Sequence, residues 1–321
     1  MTTWLVDKPQ RLAVDRPVRR LDVRLISGKL NVVGADGPPR IEVTSIGTRP
    51  LVVSCEDGAL VIRYERPRFW PVWTGPLGWF LVGRKRYRAE VSVAVPPEAV
   101  AELELISGSA VVSALRAGAS ITVSSGRITL LGLAGQTVAK VVSGPVEALG
   151  VGGDLEVETV SGELIIADSS ASRLRARTTS GPITADLNNP PYHSRIDLET
   201  VSGQITARVR EDSDLDVELH TVSGRVSSDF EELWARGSHG DKRLGGRLGA
   251  GTGRLRAQAT SGHVSLLARQ VDDEERQGAY AGAEEPRGDT AETGARQRDS
   301  SGKDGDDPER EGAHEGEGGR P

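Results

Sequence analysis

The feature that most constrains the fold is a short phrase that returns along most of the chain, with the form apolar-polar-apolar-x-Ser-Gly-x-x-apolar. Between residues 101 and 224 its serines stand 18 to 22 residues apart, and one further copy lies on each side. The copies are centred on Ser27-Gly28, Ser107-Gly108, Ser125-Gly126, Ser143-Gly144, Ser161-Gly162, Ser180-Gly181, Ser202-Gly203, Ser223-Gly224 and Ser261-Gly262. A repeat of this length is typical of a solenoid in which each copy forms one coil of a stack.

The side-chain pattern within each copy predicts two short strands per coil. Apolar or small residues stand at positions −6, −4 and −2 before the serine and at +3 and +5 after it, and alternation with a period of two is typical of a strand. Because the parity changes between −2 and +3, one extra residue must be accommodated at the Ser-Gly step, and glycine can adopt the positive φ that this needs. We therefore expect each Ser-Gly pair to be a structural corner, with the serine on the inward side and its hydroxyl bonded to the bent backbone.

The repeat resembles that of a known family. The Thr-Val-Ser-Gly phrases at 159–162, 200–203 and 221–224, together with the glycine-rich run 245–253, are similar to a bacterial β-strand-repeat family of unknown function that is catalogued as proposed adhesins. The resemblance covers about residues 20–268. It implies a β-solenoid fold and an adhesin-like role.

These patterns predict an all-β fold, an elongated, β-helix-like solenoid of about ten short coils with Ser-Gly corners. We expect the solenoid domain to span residues 1–269, with a strand-rich N-terminal cap and an aromatic-loop excursion in 1–100 and the repeat stack in 101–269, closed by the final copy. Residues 270–321 hold 16 acidic and 7 basic side chains and a single aromatic residue, Tyr280. Such a segment buries too little apolar surface to offset its chain entropy, so we expect a disordered acidic tail.

Charge and composition exclude several classes of partner and cofactor. The tail accounts for −9 of charge while the whole chain carries −6, so the body is near +3 and lacks the concentrated basic face that nucleic-acid binding uses. Cys55 is the only cysteine, and the five histidines lack the spacing of metal ligands. We expect no nucleic acid, no metal and no cofactor.

Catalytic motifs are also missing from the sequence. None of the recurring serines stands in a Gly-x-Ser-x-Gly elbow, and no histidine recurs beside them. The run 249–253 lacks the spacing of a phosphate loop, and we expect a hairpin turn there. We therefore predict that the protein is not an enzyme. A β-helix polysaccharide-cleaving enzyme, with paired carboxylates on neighbouring coils, is a less favoured alternative because the connections are short.

The candidate interaction site is an aromatic segment with basic flanks, residues 69–88, which contains three of the five tryptophans. Its candidate residues are Phe69, Trp70, Trp73, Trp79, Phe80, Arg84, Lys85 and Arg86. Three interpretations stay open. The segment folds back as a hydrophobic lid over the solenoid end, which we favour, or it contacts a partner protein, or it contacts an anionic membrane surface.

The first ten residues do not have the form of a signal peptide, and no stretch reaches the roughly 18 apolar residues that span a bilayer. We therefore expect a cytoplasmic protein, or one peripheral to the inner face of the cell membrane. The function that we predict is non-catalytic binding or scaffolding, adhesin-like by family resemblance only. Its partner would be an unknown protein or an anionic membrane surface.

Overall fold

The computed structural model describes residues 2–64, 86–187, 193–235 and 242–270. It divides into two compact units, Met1–Asp272 and Asp273–Pro321, and the described residues all belong to the first. They form 23 β-strands and contain no helix. The predicted all-β class is therefore confirmed. Two predictions, the aromatic segment 69–88 and the disordered tail, concern residues that lie outside the described ranges, apart from 86–88 at the end of the segment and Gln270 at the start of the tail.

The strands fall into three groups. Six strands form or adjoin the N-terminal cap: β1 (Thr2–Val6), β2 (Gln10–Ala13), β4 (Arg40–Ile46), β5 (Leu51–Glu56), β6 (Ala59–Tyr64) and β7 (Arg88–Val95). Three long strands continue through a Ser-Gly step: β3 (Arg20–Gly34), β8 (Val100–Ser113) and β9 (Gly118–Leu131). The later copies have one strand on each side of the step: β10 (Gln136–Ser143) and β11 (Val146–Leu149), β12 (Asp154–Ser161) and β13 (Leu164–Ser169), β14 (Arg173–Ser180) and β15 (Ile183–Leu187), β16 (Arg195–Ser202) and β17 (Ile205–Arg210), β18 (Leu215–Ser223) and β19 (Val226–Ser228), and β22 (Gly253–Ser261) and β23 (Val264–Arg269). Two short elements, β20 (Trp234–Ala235) and β21 (Lys242–Leu248), lie between β19 and β22 in the chain.

Strand pairing divides each coil between two sheets. The parts of the coils before the serine form the first sheet, whose strands lie side by side in the order β1, β5, β6, β3, β8, β9, β10, β12, β14, β16, β22, β18, β21, β20. The parts after the serine form the second sheet, in the order β2, β4, β7, β3, β8, β9, β11, β13, β15, β17, β23, β19. Pairing is parallel from β6 to β18 and from β7 to β19, and antiparallel at the ends. Nine coils with a Ser-Gly step and a tenth made of β6 and β7 form the solenoid, as predicted.

The register places serine opposite serine in every neighbouring pair of Ser-Gly coils, as in Ser143↔Ser161 and Ser161↔Ser180. The core lies between the two sheets and is made of the residues that the alternation predicts, such as Leu155, Val157 and Leu164, which are buried. A third buried row comes from the connections between coils: Leu115, Leu133 and Val151. Each coil thus adds one layer to a continuous apolar core.

The Ser-Gly steps allow the coils to approach closely. Glycine has a φ between +132° and +157° at seven of the nine steps. A Cβ built on Gly126 would lie 1.6 Å from the carbonyl oxygen of Gly108, and one on Gly162 would lie 2.0 Å from that of Gly144. The glycines therefore form a column in which backbone meets backbone, with no room for a side chain.

The expectation that the serines point inward is wrong. Seven of the nine are exposed, and only Ser27 and Ser107 are half-buried, because the chain has already turned at the step. The buried hydroxyl belongs instead to the threonine at −2. Thr221 Oγ1 donates to the carbonyl oxygen of Gly262 at 2.9 Å, and Thr200 Oγ1 donates to that of Gly181 at 3.4 Å.

The order of the coils in space differs from their order in the chain. The prediction that the final copy closes the stack is wrong. Its strands, β22 and β23, lie between the Ser202 and Ser223 coils. The turn at 249–252 joins β21 and β22, which flank β18 on opposite sides, so it crosses β18 and is not a hairpin. Ala250 N donates to Asp214 Oδ1 at 2.6 Å, which holds the crossing turn against the start of β18.

The opposite end has the same arrangement. Strand β3, which carries the first copy, is flanked by β8 on one side and by β6 and β7 on the other. The chain therefore leaves the stack after β3, forms the antiparallel cap strands, and returns to build one more coil outside β3. Both terminal copies are internal coils.

Candidate functional site

The predicted interaction segment is inserted where other coils have a corner. In the coil made of β6 and β7, Arg63 pairs with Arg24 and Arg88 pairs with Ser27, so residues 64–87 stand in place of a Ser-Gly step. Of the eight candidate residues only Arg86 lies within the described part, where it is exposed. The other seven, Phe69 to Lys85, lie outside it.

The two ends of this insertion are tied to the coil through a pair of tyrosines. Tyr64 Oη donates to the backbone oxygen of Tyr87 at 2.6 Å, and the two rings meet edge to face with centroids 5.3 Å apart. The Arg49 guanidinium lies 5.9 Å from the Tyr87 ring centroid, within cation–π range. Burial raises the pKa of Tyr64 above its ordinary value, with a smaller contribution from Tyr87. The phenol therefore stays neutral and keeps its donor role well into the alkaline range.

A second candidate site is a groove of about 710 Å³ on the outer face of the first sheet, beside the Ser-Gly corners. Its most apolar row comes from the residue just before each serine, which we call the valine row. In the spatial order of the coils the valine row reads Ile26, Ile106, Ser124, Val142, Val160, Thr179, Val201, Thr260 and Val222. Val142 is 55% exposed, Val160 51%, Val201 52% and Val222 64%. Four β-branched apolar side chains are thus half in water on a regular surface.

A row of charged and polar residues runs beside the valine row, at the third position before each serine, and we call it the charged row. In spatial order it reads Arg24, Glu104, Thr122, Lys140, Glu158, Arg177, Glu199, Gln258 and His220. Lys140 Nζ lies 2.9 Å from Glu158 Oε2, and Arg177 Nε lies 2.9 Å from Glu199 Oε2. The hydrogen bond from Lys140 to Glu158, aided by their charge attraction, raises the pKa of Lys140. The central four charges alternate in sign.

Further ion pairs on the same face also join neighbouring coils. Arg173 Nη1 lies 3.0 Å from Asp154 Oδ2, and Arg256 Nε lies 3.6 Å from Glu218 Oε2. Exposed pairs of this kind contribute little to stability, about 0.2–1 kcal/mol each.

The second sheet brings two carboxylates on neighbouring coils close to a common cation. Arg269 Nη1 lies 3.9 Å from Asp168 Oδ1 and 4.0 Å from Asp186 Oδ1, and Arg208 Nη2 donates to Asp186 Oδ2. Both carboxylates are therefore ion-paired. Within the described ranges, no group of three or more His, Cys, Asp or Glu side chains is arranged to hold a metal ion. The same ranges include no helix long and apolar enough to cross a bilayer.

The groove was missed at the sequence level, although a signal for it was present. In the Thr-Val-Ser-Gly phrase the usual polarity of a strand is inverted, because the threonine at −2 points into the core and the valine at −1 points to solvent. Thr159, Thr200 and Thr221 are buried, whereas Val160, Val201 and Val222 are exposed. A polar residue inside and an apolar residue outside, repeated in coil after coil, is the pattern that marks this face.

Comparison with known proteins shows a family model that matches most of the chain. The family model described as Toastrack DUF4097 matches residues 21–267. No curated protein matches the chain. A protein of Bacteroides fragilis NCTC 9343, whose name proposes an adhesin, is 11% identical, with 81% of this chain and 97% of that one covered and a TM-score of 0.38.

Two further solved structures are similar over comparable spans. A protein of Parabacteroides distasonis ATCC 8503, whose name proposes lipid binding, is 12% identical, with 81% of this chain and 96% of that one covered and a TM-score of 0.33. A protein of Clostridium sporogenes ATCC 15579, whose name proposes cell adhesion, is 11% identical, with 82% of this chain and 100% of that one covered and a TM-score of 0.29.

Proposed function

The chain belongs to the Toastrack DUF4097 family, and on that premise we propose that it is a non-catalytic binding protein whose contact surface is the groove on the outer face of the first sheet. The observation that carries this proposal is the half-exposure of Val142, Val160, Val201 and Val222 in one row, in which Thr179 and Thr260 stand between valines. Single apolar side chains on a surface need no explanation, whereas a row of them rimmed by charged residues is typical of an interaction site.

The architecture supports a contact surface that is rigid before its partner arrives. Backbone hydrogen bonds hold each strand of the groove on both sides, since β10, β12, β14, β16 and β22 all lie between two parallel neighbours. The valine side chains have only one rotatable bond, so a partner that covers them orders little side-chain freedom. Both properties lower the entropic cost of binding.

The chemistry of the outer faces supports binding more than catalysis. Carboxylates that stand on neighbouring coils, as Asp168 and Asp186 do, or one coil apart, as Glu158 and Glu199 do, are engaged in ion pairs with lysine or arginine. A glycan-cleaving centre uses one carboxyl group with a raised pKa and a second, ionised carboxylate facing it. Here each of these carboxylates instead lies beside a basic side chain.

An environment-sensitive apolar dye tests whether the groove is an accessible binding surface. At low protein concentration, 8-anilinonaphthalene-1-sulfonate should bind the folded protein with a defined stoichiometry, and Val160→Lys with Val201→Lys should abolish that binding while the melting temperature stays unchanged. Leu149→Lys is the matched control, because Leu149 is an exposed apolar residue outside the groove. Dye binding that is equal in the wild type and the double variant would contradict the proposal.

A second candidate function is contact with an anionic membrane surface through the aromatic-basic segment, with the protein in the cytoplasm against the inner face of the cell membrane. The observation that favours it is the placement of the insertion at a corner, with its ends held by Tyr64 and Tyr87. Tryptophan and basic side chains together are suited to the lipid interface. Co-sedimentation should detect binding to anionic but not to neutral vesicles, and it should be lost on replacing Trp70, Trp73 and Trp79 by alanine. Equal sedimentation of the wild type and this variant would reject it.

A further inference from the structure

We infer that the partner which covers the groove is a second copy of this chain, packed face to face with the order of the coils reversed. The two-fold axis would run parallel to the strands and pass between the Ser161 and Ser180 coils. This inference rests on the proposed contact surface and names its occupant.

The charged row is complementary to itself under this reversal. Its central residues alternate in sign as Lys140, Glu158, Arg177 and Glu199. When the order is reversed about the midpoint, Lys140 faces Glu199 of the second copy and Glu158 faces Arg177 of the second copy. A row of four alternating charges changes sign at every position on reversal. Packing with the order preserved would instead place Lys140 on Lys140, so the charges select the two-fold arrangement.

The outer members of the charged row fit the same centre. Glu104 would face His220 of the second copy, which pairs a carboxylate with an imidazole. Thr122 would face Gln258 of the second copy, which pairs a hydroxyl with an amide. Eight of the nine positions of the row therefore have a compatible neighbour, and the contact ends before the ninth, where Arg24 would face Arg243 of the second copy.

The valine row supplies an independent match about the same midpoint. Val142 would face Val201 of the second copy, and Ile106 would face Val222 of the second copy, so apolar residues meet apolar residues. The positions occupied by hydroxyls also coincide, because Ser124 would face Thr260. At the centre, Val160 would lie against Thr179, whose methyl group offers an apolar contact. Two rows with different chemistry thus have a common centre of symmetry.

The size of the face is sufficient for a stable pair. Neighbouring strands lie about 4.8 Å apart, so eight coils extend over about 38 Å, and three outward rows cover about 20 Å along the strands. The upper bound on the contact is then about 750 Å² per copy, close to the roughly 800 Å² per partner of a standard interface. Sheets that pack face to face keep their strands within about 30° of each other, which the two-fold axis along the strands permits.

A third outward row, two positions before the charged row in each strand, limits where the contact is closest. At the ends of the interface, Glu102 of this row would face Glu218 of the second copy. Each glutamate already has a basic partner within its own copy: Glu102 accepts from Arg20 at 2.6 Å, and Glu218 accepts from Arg254 at 3.4 Å. At the centre, Glu156 would face Arg175 of the second copy, which is favourable. The tightest contact is therefore at the Ser161 and Ser180 coils.

Analytical ultracentrifugation of the full chain with a charge swap tests the inference. The wild type should form dimers that dissociate on dilution. Lys140→Glu alone and Glu199→Lys alone should each weaken dimerisation about tenfold or more, because each puts like charges opposite each other at two symmetric places. The double variant Lys140→Glu with Glu199→Lys should recover it, because the swapped charges again face their opposites across the two-fold axis. Leu149→Lys should leave dimerisation unchanged.

The swap separates association from folding. Within one copy the double variant still lacks both the Lys140–Glu158 and the Arg177–Glu199 pairs, so a role confined to the monomer predicts no recovery. A monomeric wild type at every concentration, or a double variant no better than the single ones, overturns the inference. If the groove then still binds the dye, the contact surface itself stands and another partner covers it. If neither dye nor second copy binds, the proposed function falls as well.

Discussion

Replacing Gly126 by alanine should be among the most destabilising small changes in this protein. Gly126 has a φ of +148°, and a Cβ added to it would lie 1.6 Å from the oxygen, 2.7 Å from the carbon and 3.0 Å from the nitrogen of Gly108. All three atoms belong to the backbone of the neighbouring coil, so no side chain can rotate away. The two coils would have to separate by about 1.8 Å at this point to reach an ordinary contact.

The cost can be estimated from three contributions. Overpacking of this kind costs about 1–3 kcal/mol, each of the two hydrogen bonds that flank the Gly108↔Gly126 pair contributes about 1 kcal/mol, and a non-glycine residue at this φ costs about 1–3 kcal/mol. We expect a total loss of about 4–8 kcal/mol in the free energy of unfolding. At about 2 °C per kcal/mol for a chain of this size, that corresponds to a decrease in melting temperature of about 8–16 °C.

Gly37→Ala is the matched control, because Gly37 has a φ of +110° with nothing within 4 Å of a built Cβ. It should show only the conformational cost of about 1–3 kcal/mol. Chemical denaturation followed by circular dichroism measures both variants. Equal losses for Gly126→Ala and Gly37→Ala would refute the explanation by close approach, since only the former brings backbone into contact with the new methyl group.

Three further predictions concern individual side chains and solution conditions. Thr221→Val should cost about 1 kcal/mol of unfolding free energy because it removes the hydrogen bond to the Gly262 oxygen. Thr159→Val should be neutral or stabilising, since the buried Thr159 Oγ1 has no hydrogen-bond partner among the described residues. Because the pKa of Tyr64 is raised in the folded state, the contribution of Tyr64 to stability is fully present below the unfolded-state pKa of about 10 and is lost as pH rises further. Above about pH 10 the free energy of unfolding should therefore fall more steeply in the wild type than in Tyr64→Phe. The difference should reach up to about 1.4 kcal/mol per pH unit. Dimerisation through the charged row should weaken as salt is raised, which sedimentation in increasing sodium chloride measures, and a dimer indifferent to salt would count against the charged row.

The repeat made the coil and its register predictable. A period-two pattern on both sides of each Ser-Gly step identifies the buried residues, and Leu155, Val157 and Leu164 are buried as expected. Identical phrases also imply that serine lies opposite serine when coils stack. Local pattern was sufficient here because each coil contacts only its neighbours.

The order of the coils could not be read from the same pattern. All copies offer a neighbour the same row of hydrogen bonds, so a copy 38 residues after Ser223 fits on either side of that coil. The choice depends on the segment 229–252, in which β21 pairs antiparallel with β18 and leaves the other edge of β18 to β22. That is a property of a connection and not of the repeat.

The groove was hidden for a different reason. Alternation indicates which residues face the core, but it does not indicate what the other face contacts. The valines at 142, 160, 201 and 222 occupy the parity of a solvated surface, where isolated apolar residues are common. Only the stacking of the coils shows that they form one row.

The internal position of both terminal copies gives the stack a fixed length. In an ordinary repeat protein a copy can be added or deleted at an end, because the end copy has one neighbour. Here removal of β22 and β23 would separate the Ser202 coil from the Ser223 coil, and a copy added after β23 would find both edges of that coil already paired. Evolution or engineering can therefore lengthen this protein only between β8 and β16, where coil follows coil in the chain. Among the described strands, β22 and β23 are also the last to leave the ribosome, and they join two coils already made, so vectorial synthesis cannot complete the stack until this copy has emerged.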